Sequence, residues 1–256
     1  MAVAAVYPAK IAVGSLYAAS ANEIDVGTEV EALEANTFGL APYKGFVAGL
    51  VTVSFTVTGF QDYSTLLPDS SAERLRAQLG AIVPVSVAPQ GDTDGNVAQF
   101  TVGLIAGLAR IKSPVGQIPG MELNIQPRGV PLVEGFLSSN ATTARTASYN
   151  GANAQLGAVS ATQEVYANVH VLDATGSGGT PSITPRIESD NAGGFGTPTT
   201  IVTGSAMTPS VGTGASQTLS ANGPFTDDFF RLAFLISGTT PSLKIFGVLG
   251  VGKLTS

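Results

Sequence analysis

Between Val51 and Thr58 apolar and polar residues alternate without exception, Val51, Val53, Phe55 and Val57 against Thr52, Ser54, Thr56 and Thr58. Successive side chains of a β-strand point to opposite faces, so this spacing specifies a strand with one dry and one wet face. A helix would scatter the same residues around its circumference. The period recurs between Asn22 and Glu34, where Glu23, Asp25, Glu29 and Glu31 take odd positions and Ile24, Val26 and Val30 even ones. Glu34 adds a further carboxylate, and no basic residue intervenes. A row of like charges along a strand is unfavourable unless that face is wetted or has something to repel.

The rest of the chain reads the same way. Strands are expected at 82–87, 98–111 and 121–126, separated by turn-forming runs such as Gln90-Gly-Asp-Thr-Asp-Gly-Asn96 and Lys112-Ser-Pro-Val-Gly116. One helix is predicted: Ser70-Ser-Ala-Glu73 has capping-box spacing, Ala72, Leu75 and Leu79 share a face, and Gly80 stands where it would stop. After Glu134 the composition turns small and polar, and 138–154 reads as a linker or an irregular edge strand. Beyond it, strands are expected at 164–172, 182–188, 198–202, 216–219, 229–236 and 243–251. Short strands at such intervals suggest a β-sandwich. Within this part Val171–Ile183 and Leu235–Leu243 echo each other, each a strand, a Gly/Thr turn and Thr-Pro-Ser opening the next strand, as two similar hairpins would. The prediction is an all-β protein with one short helix, divided into domains 1–139 and 140–256.

Charge narrows the function classes. The chain of 256 residues is only 12% charged, with a net charge of −6. Residues 1–139 hold 12 acids against 7 bases, whereas 140–256 hold 6 against 5. Scattered bases and negative charge argue against tight nucleic-acid binding, which neutralises phosphates with clustered Lys and Arg. So few ions leave much surface suited to contact with other copies. There is no cysteine, so no disulfide, thiolate metal site or cysteine nucleophile. No apolar run reaches membrane-spanning length, and the apolar start Met1–Pro8 lacks a basic region before it, reading as a strand or arm rather than a signal peptide.

Catalytic patterns are sparse. His170 is the only histidine, so a Ser-His-Asp constellation would have to use it. In Val165–Val171 the odd positions are apolar, and Tyr166, Asn168 and His170 form a polar face, which reads as a solvated strand. Gly247–Gly252 is glycine-rich but has no helix after it, unlike a dinucleotide fingerprint. Asp92–Asn96 and Glu188–Asn191 offer oxygens but lack the spacing of a calcium loop, so turn chemistry is the better reading. Asp227 and Asp228, adjacent in sequence, would face opposite ways in a strand and read as a turn. The expectation is no enzyme, no catalytic residue, no metal and no cofactor.

Glu23–Gly39, with its acidic strand ending in Thr-Phe-Gly, then Tyr43–Leu50 and Thr52–Phe60, an alternating strand ending in Gly-Phe, together resemble tail tube (major tail) proteins of long-tailed bacteriophages. The turn at Pro89-Gln-Gly-Asp92 and Lys112–Gly116 are also similar to that family. Gly157–Gln163, His170-Val-Leu172 and Gly238–Ser242 resemble sandwich modules appended to some of these tails. The resemblance implies a tail-tube-type β-sandwich or barrel followed by a C-terminal β-sandwich that decorates the surface. It also implies a structural virion component that self-assembles in the host bacterial cytoplasm into stacked hexameric rings, a conduit for double-stranded DNA. Its partners would be its own copies, tape measure and tail terminator proteins, and DNA passing through without tight binding. On that basis Glu23, Asp25, Glu29 and Glu31 are expected to face the lumen. The loop with Thr37, Phe38, Gly39, Tyr43 and Lys44 is expected to contact a neighbouring ring.

Competing readings remain open at this point. The acid row also suits a solvated outer face or an intersubunit contact. A glycan-binding, adhesin-like protein of two sandwiches fits the second half, with Tyr149 or Phe195 stacking on a sugar. The inner tube of a contractile tail, or a capsid component, fits the same pattern of strands.

Overall fold

The computed structural model describes residues 9–15, 17–35, 45–59, 76–107, 124–175, 180–210 and 214–253. The fold is all-β. Among the described residues thirteen strands follow one another: β1 Ala9–Val13, β2 Tyr17–Ala35, β3 Gly45–Gly59, β4 Ile82–Ala88, β5 Val97–Gly107, β6 Asn124–Ser139, β7 Tyr149–Gln155, β8 Gln163–Thr175, β9 Ser182–Asp190, β10 Thr199–Thr203, β11 Ala215–Asn222, β12 Phe229–Ser237 and β13 Ser242–Lys253. Of the expected helix, residues 70–75 lie outside the described ones. Residues 77–80 form a turn, with Gly80 in the left-handed region at φ 78°, a conformation that glycine adopts without steric penalty.

The strands form two sheets, one of nine strands in the order β11-β8-β13-β6-β5-β4-β1-β2-β3 and one of four in the order β10-β9-β12-β7. The alternating segments enter as expected, and the run 138–154 supplies the edge strand β7 of the smaller sheet. The two Thr-Pro-Ser echoes do open β9 and β13 at Ser182 and Ser242. They are not hairpins, however. β8 and β9 belong to different sheets, as do β12 and β13, so each echo lies where the chain crosses from one sheet to the other.

The sheets pack face to face through a core containing Val165, Ala167, Val169 and Val171 of β8, Ile183 and Ile187 of β9, Phe230, Leu232 and Phe234 of β12, and Ile245 and Leu249 of β13. Burying a side chain of this size contributes roughly 1.5–3 kcal/mol. The other face of β8 is covered as well. The large sheet curls until β8 meets β4, although three strands lie between them in its order. Tyr166, Phe246 and Val248 then join Phe100, Val133 and Leu137 in a second cluster. A third cluster, with Ile11, Val85, Val87 and Ile125, lies beneath β2, and Val26 packs on it.

The expected boundary after Ser139 coincides with the end of β6. Strands from its two sides are joined in the large sheet, where β13 pairs with β6. Gly135 stands opposite Gly250 in that pairing. A Cβ on Gly135 would come within 2.1 Å of the Leu249 carbonyl oxygen, so the two backbones approach too closely for any side chain.

Candidate functional site

The acid row lies in the longest strand of the fold, the 19-residue β2, paired with the 15-residue β3. Glu23, Asp25 and Glu29 stand opposite Thr58, Thr56 and Thr52, and Gly27 opposite Ser54. Directly opposed residues of an antiparallel pair share a face. These positions therefore fall on one face of the ribbon, acidic residues on β2 and hydroxyl residues on β3. Ile24, Val26 and Val30 stand opposite Val57, Phe55 and Val51 on the other face. Glu31 falls where the register shifts between Val30 and Ala32, so it leaves the regular row. Because Val26 packs on the buried cluster beneath β2, the pleat sets positions 23, 25 and 29 on the face away from it.

β1 pairs with β2 only over Tyr17–Ala21. From Asn22 to Ala35 the ribbon continues with β3 as the only partner of β2 among the described residues. That length is about 45 Å of strand. Thr37, Phe38, Gly39, Tyr43 and Lys44 lie outside the described residues.

His170 overturns the expectation of a solvated strand. It is wholly buried. Nδ1 lies 2.7 Å from the Gly14 carbonyl oxygen and Nε2 lies 2.8 Å from Ser86 Oγ. A carbonyl only accepts, so Nδ1 carries the proton and Nε2 accepts the Ser86 hydroxyl. Burial pushes the imidazole down to about 4, against the Gly14 hydrogen bond, which raises it. Asn168 donates to Thr101 O at 3.0 Å and to Ser86 Oγ at 3.3 Å, and accepts from Thr218 Oγ1 at 2.8 Å. The polar face of β8 is thus an internal seam tying β1, β4, β5 and β11 together. Both ring nitrogens of His170 are occupied within it, away from any surface where a substrate could bind.

Of the aspartates read as turn residues, Asp190 caps its own turn, whereas Asp92, Asp94 and Asp227 accept from segments distant in sequence. Asp94 accepts from the backbone and side-chain nitrogens of Asn140, at 2.6 and 3.0 Å, and Asp92 accepts from Ala141 N and Thr142 Oγ1. Asp190 accepts from the amides of Ala192 and Thr197. Asp227 accepts from Ser189. Among the described residues no cluster of His, Asp and Glu has the make-up of a metal site.

Both aromatic rings expected to stack on a sugar have partners within the fold. Tyr149 lies 4.9 Å from Phe234, and the Arg145 guanidinium lies over its ring at 4.3 Å. Its hydroxyl is 2.5 Å from Ser139 Oγ, and burial pushes the phenol up to about 12. Phe195 is covered by Arg231 at 4.1 Å. That guanidinium in turn donates through Nε and Nη2 to Glu188 at 2.9 and 2.7 Å.

No family model matches the chain, and no curated protein does. Among solved structures, the Dit protein of phage SPP1, described as a hub adsorption apparatus of phages infecting Gram-positive bacteria, overlaps 95% of this chain and 99% of its own. The overlap has a TM-score of 0.32 and 11% identity. A chain from infectious bursal disease virus, Gx strain, overlaps 95% of this chain and 55% of its own, with a TM-score of 0.25 and 12% identity.

Proposed function

We propose that the protein is a structural virion component, the subunit of a phage tail tube, which closes into hexameric rings that stack around double-stranded DNA. The observation that carries this reading is the β2–β3 ribbon. Its strands outrun the sheet that supports them, leaving a stretch of β2 edge with no partner among the described residues. An open edge of that length is a template for pairing with another chain, and ring closure satisfies every such edge at once. The acid and hydroxyl face then lines the lumen, with the neighbouring ring meeting the loop that holds Thr37 to Lys44.

A carboxylate facing a phosphate at ~10 Å in water is repelled by only about 0.4 kcal/mol. Repeated along a tube, that weak repulsion keeps DNA from adhering to the wall without holding it. His170 is consistent with a role that turns nothing over, since the residue any triad would need serves as a buried strut.

Sedimentation velocity of the purified chain tests the assembly. The expected outcome is a sixfold species and its multiples growing with concentration. A monomer at every concentration and salt would overturn the reading.

A further inference from the structure

A cavity of about 250 Å³ opens on the smaller sheet, on the face turned away from the core. Its floor is Ala233 of β12, which the register sets between Asn150 of β7 and Arg186 of β9. An alanine between two longer residues leaves a trough where a larger side chain would fill the face. Leu235, 42% exposed, adds an apolar strip beside it, and Glu188 closes one end.

Arg186 sets the chemistry. Its Nε is buried and has no hydrogen-bond partner. The charge of Glu188 is already matched by Arg231 through two hydrogen bonds. The planar fork of a guanidinium matches a carboxylate or a phosphate in shape, and the single positive charge that Arg186 leaves at this cavity is balanced by the singly charged carboxylate. The Asn150 amide offers a donor and an acceptor to hydroxyl groups, while the Ala233–Leu235 strip suits the C–H face of a ring. The volume admits one small ring rather than a chain.

We propose that this cavity binds a uronic-acid-type sugar, Arg186 taking its carboxylate. The site stands on the outer face of the smaller sheet and does not depend on ring assembly.

Saturation-transfer NMR on the full chain tests it, with sodium glucuronate as probe and glucose and sodium acetate as comparisons. Glucuronate is expected to saturate in the millimolar range, with glucose and acetate each at least about tenfold weaker. Arg186→Gln is expected to weaken glucuronate about tenfold or more. Ala233→Val, which fills the floor and keeps the charge, is expected to abolish binding even if the charge variant fails to fold. Three results would overturn the proposal: no saturable glucuronate binding, binding of glucose or acetate at equal strength, or glucuronate binding undiminished in either folded variant.

Discussion

His170 shows how one side chain can tie several strands together when each of its groups has a partner. The imidazole links the turn after β1 to β4, and through Ser86 and Asn168 the link extends to β5 and β11. Its titration gives a sharp prediction. In the fold the ring stays neutral down to about 4, whereas in the unfolded chain it takes a proton below about 6.5. Between those values the unfolded state binds more protons, so stability falls as pH drops through the window and levels off below it, by about 3 kcal/mol in all. Urea unfolding at pH 7, 6 and 5 checks this. His170→Gln should lose that part of the slope whatever its stability at pH 7, and equal slopes would contradict the assignment. The sequence showed β8 as an alternating strand but not that both its faces are covered, because Ser86, which accepts the Asn168 amide, lies 82 residues away. Periodicity reports which residues share a face, not what lies against that face.

At the scale of elements, the same limit explains what was and was not legible. The boundaries of β4, β9, β12 and β13 followed to within two residues from alternation and turn residues, whereas β3 begins at Gly45, six residues before the alternation at Val51. The full length of β6 did not follow either. Pro127, Pro131 and Gly129, the last at φ 84°, interrupt its pattern, and its pairing with β5 shifts register around Val102. Nor did the sequence reveal that Gly135 and Gly250 meet where β6 joins β13. Gly135→Val should force these backbones apart and destabilise the protein by about 3 kcal/mol, read as a lowered midpoint in urea. An unchanged midpoint would mean that the contact is not close. The acid row was legible in full as a strand, while the register shift at Glu31 was not. If the row lines a conduit, Glu23→Lys, Asp25→Lys and Glu29→Lys together should make assemblies retain double-stranded DNA at ~50 mM salt and release it by ~200 mM. Assemblies as inert as the parent would count against a lumenal row.

For the molecule as a whole, the large sheet is the organising feature. It receives strands from both sides of Ser139 and curls until β8 lies against β4, so one hydrogen-bonded seam serves both halves. The composition shift after Glu134 marks where the chain leaves β6 for the smaller sheet rather than a break in packing. The β2–β3 ribbon forms one end of this sheet, with Val26 packed on the buried cluster and positions 23, 25 and 29 on the opposite face of the pleat. Such a ribbon on a protein with so few charges points to copies meeting edge to edge. Negative-stain electron microscopy of the purified full chain tests that claim most directly. The account predicts sixfold rings with an open centre, stacking into hollow tubes as concentration rises, and a field of separate compact particles at every concentration would contradict it.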